Sequence, residues 1–363
     1  MGAERKFLTT LTLPYESIRT LHEGSSEVRL YRNELIGQHQ IGKRYSKLGL
    51  ESTVAVNEGK LLKQIRHSHV VPVEDVVTPS GYDPILSTVE LIMPFYERGS
   101  LTDAFERGER FTVGTAISLM CGALLGLAEI HDCFGVIHRD MKSPNLFLSD
   151  EGRLLVGDLG AAILMDEEGG GEALPFVQLY SAPESLITRR CDRRSDLFQM
   201  GLILHELTSG PFPYADPTYE IEAMAERLSQ GRRAVRPVHL RAEPWVPSRL
   251  RRVINKAIQC DPARRFTSAK TMSDALANVP YIDWVEVSSE PDRRRWEGAT
   301  VHRPDRRFSV EATQRKNAWS LVGRQQVTTW RRISERPDAI VSSLSDPQAA
   351  SFFESMLAIA TKR

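Results

Sequence analysis

Cysteine is scarce in this 363-residue chain, and Cys121, Cys133, Cys191 and Cys260 are widely separated. That spacing supports neither a zinc site nor a disulfide framework, so a reducing, cytoplasmic setting is the expectation. His67-Ser68-His69 lacks a carboxylate or cysteine at ligand spacing and is not read as a metal site. No charge of one sign dominates, since 47 Lys and Arg residues balance 47 Asp and Glu. That balance argues against a general binder of nucleic acid or of membrane surfaces. Met1 to Thr10 mixes charged and polar residues and lacks a signal-type apolar stretch. One segment, Val113 to Ile130, is almost uncharged and reaches the length of a short membrane span. It contains Gly114, Thr115, Ser118, Gly122 and Gly126 and runs into His131 and Asp132. We read it as the buried helix of a large lobe, with no membrane as partner, because a span here would set Asp140 beside a bilayer.

With 41% hydrophobic residues, the chain can bury a large core. Its length fits two lobes of ordinary size plus an appendage. The chemistry concentrates in His138-Arg139-Asp140-Met141-Lys142-Ser143-Pro144-Asn145 and in Val156-Gly157-Asp158-Leu159-Gly160. An acid, a lysine, an amide and a second acid at these spacings suit the holding of a magnesium-bound triphosphate against a hydroxyl nucleophile. Phosphoryl transfer needs positioning, charge compensation and a group to accept the hydroxyl proton. Asp140 can be that acceptor, and Lys142 can neutralise the phosphate in flight. Asn145 and Asp158 offer oxygen, the ligand type that magnesium prefers.

With these residues in place, Pro14 to Pro280 resembles a eukaryotic-type (Hanks-type) protein kinase. The resemblance implies an α+β fold of two lobes, β-rich and then helical, with ATP in the cleft between them. It divides the chain into an extension at 1–13, an N-lobe at 14–93, a hinge at 94–100 and a C-lobe at 101–280. Tyr15–Leu21 and Val28–Tyr31 would be strands flanking the phosphate-binding turn, where only Gly24 survives of the family's glycines. Gln40-Ile41-Gly42-Lys43 sits where the family has Val-Ala-Ile-Lys, so Lys43 would contact the α- and β-phosphates. Glu58 precedes an apolar helical face, Leu61, Leu62 and Ile65, and would pair with Lys43. Met93 falls at the gatekeeper position. Pro94 keeps the carbonyl used there, having lost only its N–H, and Tyr96 keeps the N–H that adenine needs. Val28 and Phe147 complete the implied nucleotide contacts.

Ser181-Ala182-Pro183-Glu184, Ser195-Asp196 through Gly201, and Asp261-Pro262 through Arg265 match structural motifs of the same family. They point to protein substrates, and Lys142 leans toward Ser/Thr hydroxyls. Two departures stand out. Val177 replaces a threonine, and no Ser, Thr or Tyr lies between Asp158 and Leu179. Asp166, Glu167, Glu168 or Glu172 is therefore expected to give Arg139 the negative charge that a phosphate supplies elsewhere. The short glycine loop and Val177 also keep open an alternative, a nucleotide-binding scaffold with little turnover.

Beyond the kinase-like region, 281–295 reads as a linker. Trp296–His302, Phe308–Arg315, Trp319–Arg324 and Val327–Ile333 alternate as half-buried antiparallel strands do. Asp346-Pro347 opens a closing helix. We read 296–363 as a small sheet-plus-helix accessory domain and a candidate partner contact.

Overall fold

A computed structural model describes residues 15–22, 27–35, 37–45, 63–77, 89–301, 303–326, 328–334 and 338–362. Gly24 and Glu58 lie outside the described residues. The chain divides into two compact units, 1–97 and 98–363, and each is considered by itself.

In the first unit, β1 (Tyr15–His22), β2 (Glu27–Asn33), β3 (His39–Tyr45), β4 (Asp75–Val77) and β5 (Val89–Pro94) form one antiparallel sheet. The order is β1-β2-β3-β5-β4. Register sets Lys43 opposite both Val28 and Leu91, and Ile41 opposite both Leu30 and Met93. Because side chains alternate along a strand, these six residues share one face. The other face carries Arg44, which lies 3.0 Å from Glu90 and 2.6 Å from Glu27. Gly42 leaves room for this pair, since a Cβ there would sit 2.0 Å from Glu90 Oε1 and displace it.

The second unit begins with α1 (Leu101–Glu106), held by a reciprocal capping box between Ser100 and Asp103. The apolar segment then forms α2 (Val113–Asp132), N-capped by Thr112. Ala116, Met120, Leu124, Leu127 and Ile130 have no exposed surface. This helix has the length and apolarity to cross a membrane, but in the fold these residues are core. Short strands follow as β6 (Val136–Ile137), β7 (Leu146–Leu148), β8 (Leu154–Val156), β9 (Ile163–Leu164) and β10 (Gly170–Glu172). Next come α3 (Pro183–Ile187), β11 (Arg190–Asp192) and α4 (Arg193–Ser209), then α5 (Ile221–Ser229), α6 (Ser248–Ala257) and α7 (Ala269–Ala277). Strands pair as β6–β9, β7–β8 and β10–β11, while α2 packs on α4, α7 and β8. α4 approaches α6 closely at Gly201, where a Cβ would lie 2.6 Å from that of Ala257.

The C-terminal part is a sheet of β12 (Val285–Ser289), β13 (Arg293–Thr300), β14 (Arg303–Arg315), β15 (Ala318–Gln326), β16 (Trp330–Arg332) and β17 (Ala339–Val341). It is closed by α8 (Pro347–Thr361), which starts at Asp346-Pro347 as expected. Trp296, Phe308, Leu321, Phe352 and Met356 are its buried core.

The expected linker is corrected. Val285–Ser289 and Arg293 onward are strand. The arginine run misled because each positive charge is met across or along the strands, as in Arg294–Glu286 at 2.5 Å and Arg295–Glu297 at 2.8 Å. Nor does this part stand apart from the helical region. Trp245 lies 5.5 Å from Trp296, and Ser248 at the start of α6 donates N–H and O–H to Glu354.

Candidate active site

The site begins with a short loop between β6 and β7, and its shape is set by buried acceptors. Asp196 on α4, with no exposed surface, accepts the N–H groups of His138 and Arg139, each at 2.8 Å. It also lies 2.7 Å from His131 Nε2 at the end of α2. These contacts hold Arg139 in the left-handed region at φ 67°, a conformation that disfavours a residue with a Cβ. Gln199, one helical turn after Asp196, bridges the next peptide groups. It accepts from Met141 N–H at 3.0 Å and donates to the Arg139 carbonyl at 3.1 Å.

The loop delivers Asp140, Lys142 and Asn145 to one spot. Lys142 Nζ lies 2.8 Å from Asp140 Oδ2. Asn145 donates to the same oxygen at 3.0 Å and to the Asp140 carbonyl at 2.7 Å. Asp158 joins them through the β7–β8 hairpin, where Leu146 pairs with Val156. The Gly157 N–H donates to the Asn145 carbonyl at 2.9 Å. His138 ties the same corner by its ring, taking the Asp140 N–H on Nδ1 at 3.3 Å and reaching the Gly157 carbonyl from Nε2 at 2.9 Å. Asp158 is left-handed at φ 55°, a conformation aspartate tolerates better than most residues. Phe147, in β7, bridges to Ser100.

Lys43, Val28 and Met93 share one face of the N-terminal sheet, while Pro94 at the end of β5 pairs with Gln40 on the opposite face. Tyr96 follows β5 in the same unit.

The expectation for Arg139 is corrected. Its guanidinium donates to two backbone carbonyls, Ala161 at 2.5 Å and Glu172 at 2.8 Å. Asp166 and Glu168 instead meet Arg190 at 2.5 and 3.2 Å. The reason is local. Asp166 Oδ1 closes its own turn by accepting from the N–H groups of Glu168 and Gly170, which draws its side chain toward β11. The Gly170 N–H and then the Arg190 guanidinium hold that carboxyl below the usual carboxylate range.

Further along, Gln178 donates its side-chain amide to Asp140 Oδ1 at 2.7 Å. Glu206 on α4, wholly buried, accepts from Ser143 and Tyr180 at 2.5 Å, from the Phe212 N–H, and from Tyr214. Burial pushes its carboxyl up despite these donors. Arg265 grips Glu184 through two contacts at 2.6 and 2.7 Å, and Ser195 adds a third at 2.8 Å, joining the segments that match family motifs.

Gln178, Gln199 and His131 were missed in the sequence reading. Two left a trace, since Gln178 interrupts the apolar run around Val177 and Gln199 lies three residues after Asp196, on the same helical face.

The donor set suits magnesium. Asn145 and Asp158 offer amide and carboxylate oxygens, and because the Asn145 nitrogen donates to Asp140, its oxygen is the atom left to face a cation. No group of three or more His, Cys, Asp or Glu able to hold a metal occurs among the described residues.

A family model described as protein kinase domain matches residues 15–279. The chain is 25% identical over 278 residues to serine/threonine-protein kinase PknD of Chlamydia muridarum, which covers 66% of this chain and 29% of that protein. It is 32% identical over 211 residues to receptor-like serine/threonine-protein kinase NCRK of Arabidopsis thaliana, covering 54% of this chain and 37% of that protein. It is 25% identical over 283 residues to mitogen-activated protein kinase kinase 2 of Arabidopsis thaliana, covering 76% of this chain and 75% of that protein. The chain thus spans only a minor part of the length of the first two of these relatives.

Proposed function

The chain belongs to the protein kinase domain family, and on that footing we propose that it transfers the γ-phosphate of ATP to Ser or Thr hydroxyls of protein substrates. The observation that carries this reading is the convergence of Lys142 and Asn145 on one carboxylate oxygen of Asp140. A scaffold without turnover has no need of an oriented proton acceptor.

Asp140 receives the hydrogen bond of the incoming hydroxyl and takes its proton as the oxygen attacks the γ-phosphorus. The bond to the β–γ bridging oxygen breaks, and ADP carries away that electron pair. Lys142 sits beside Asp140 to balance charge on the moving phosphoryl group. Lys43, on the face it shares with Val28 and Met93, serves the α- and β-phosphates. Magnesium, when bound, offsets phosphate charge, and Asn145 and Asp158 are the residues to hold it.

We further propose that this activity needs no phosphate on the activation segment. Arg139 is already occupied by the carbonyls of Ala161 and Glu172, and the Asp166 turn by the Gly170 N–H and by Arg190 of β11. The test of the whole reading uses labelled ATP, magnesium and a generic basic protein. Wild type should label Ser and Thr, and Asp140→Asn should lose that transfer while melting like wild type. Nucleotide binding without transfer by wild type would favour the scaffold.

A further inference from the structure

The carboxylate of Asp140 is held from two sides. Oδ2 takes Lys142 at 2.8 Å and Asn145 at 3.0 Å, both from the catalytic loop. Oδ1 takes Gln178 Nε2 at 2.7 Å, from 38 residues downstream. A carboxylate has about four lone-pair sites. Three donors leave one acceptor position, and it lies on Oδ1, the atom that Gln178 contacts.

We infer that Gln178 is a positioning residue: it pins Asp140 so that Oδ1 alone receives the substrate hydroxyl. This rests on the kinase reading above and deepens it. Val177, where the resemblance calls for threonine, has no donor to offer. The longer side chain of its neighbour supplies a neutral N–H in its stead. A neutral donor orients the carboxylate without adding a second positive charge to that of Lys142, already on Oδ2.

Gln178 is itself held. Its N–H donates to Ser181 Oγ at 3.0 Å, and its carbonyl accepts the Ser181 N–H at 3.0 Å. Tyr180, inside that turn, donates to Glu206 on α4 at 2.5 Å and lies 3.2 Å from Ser143 of the catalytic loop. The turn 178–181 is therefore anchored to the same helix that holds the catalytic loop through Asp196 and Gln199. Order in this turn is transmitted to Asp140 by one side chain.

Two variants of the full chain test this, Gln178→Leu, which keeps bulk, and Gln178→Glu, which keeps shape but removes the N–H and adds like charge. Steady-state kcat, KM for ATP, KM for the protein substrate and the melting temperature are measured for each. Misplacing a catalytic group by an ångström costs about a hundredfold. We expect kcat to fall about ten- to a hundredfold for Gln178→Leu, and further for Gln178→Glu, with KM for ATP unchanged and melting close to wild type. Wild-type kcat in both variants would overturn the inference alone, leaving Gln178 as packing. A rise in kcat would overturn it too, because Gln178 would then be blocking Oδ1. Failure of wild type itself to transfer phosphate would overturn the kinase reading beneath it, and Asp140→Asn assayed alongside tells the two failures apart.

Discussion

The carboxylate of Asp196 and the backbone N–H of Arg139 lie 2.8 Å apart, across 57 residues of chain. The bond holds Arg139 at φ 67°, a conformation that costs about 1–2 kcal/mol. A second oxygen of the same carboxylate takes the neighbouring His138 N–H. In Asp196→Asn, one face of the side chain becomes a donor and confronts an N–H. The loop then relaxes, and kcat should fall about ten- to a hundredfold with the chain still folded. Steady-state assays beside circular dichroism check this, and an unchanged kcat would show that the loop is held without Asp196.

Arg265 is a stability prediction. Its side chain has no exposed surface. Besides Glu184, it donates to the carbonyls of Gln259, Cys260 and Arg194. Arg265→Leu strands the Glu184 carboxylate and three carbonyls, and breaking such a buried pair costs about 3–5 kcal/mol. Urea unfolding should show that loss, and Arg265→Lys should recover only part of it because an ammonium cannot reproduce the two-point contact.

The Arg190 contacts to Asp166 and Glu168 are exposed on both sides, and such pairs contribute at most about 1 kcal/mol. Arg190→Ala should therefore leave the unfolding midpoint nearly unchanged. Its effect belongs in the rate, through the shape of the 166–172 turn that brings the Glu172 carbonyl to Arg139. We expect a severalfold lower kcat in Arg190→Ala, and phosphatase treatment of wild type should change nothing. A rate that collapses on phosphatase treatment would refute phosphate-independent order.

His205 gives a pH prediction. Its ring stacks on Phe212 at 5.5 Å and meets the His239 carbonyl at 2.9 Å. Burial lowers its pKa below the ordinary imidazole value. With the folded pKa below the unfolded one, the neutral ring contributes stability above about pH 6.5. That contribution is lost as pH falls through the window between the two values. The Glu206 carboxyl, pushed up by burial, works in the opposite sense. The comparison is therefore His205→Gln against wild type, unfolded by urea at a series of pH values between about 7 and about 5. The variant should show a smaller loss of stability on acidification, and identical slopes would mean that His205 titrates alike in the folded and unfolded chain.

The clustering of Asp140, Lys142 and Asn145 was legible because they lie in one loop of eight residues, and the approach of Asp158 was legible because a two-strand hairpin returns the chain to Asn145. α2 and α8 were legible from apolar pattern and caps. The 281–295 segment was not, because Val285 and Val287 face outward and are about half exposed, so its alternation pointed the wrong way and its arginines looked like a solvated linker. The partner of Arg139 was not legible either, since backbone carbonyls leave no mark on residue identity.

What the sequence by itself determined is the inventory and its short-range spacing: an acid, a lysine, an amide and a second acid delivered by adjacent turns, and a helix apolar enough to need burial. Local geometry depends on backbone preferences and pattern, and these are written residue by residue. Only the tertiary structure decided who meets whom at long range. Asp196 reaches Arg139, Gln178 reaches Asp140, and Asp166 turns to Arg190. Such contacts form between polar groups that many positions could supply, and only the packing of distant elements against one another, α4 against the loop and β10 against β11, selects among them.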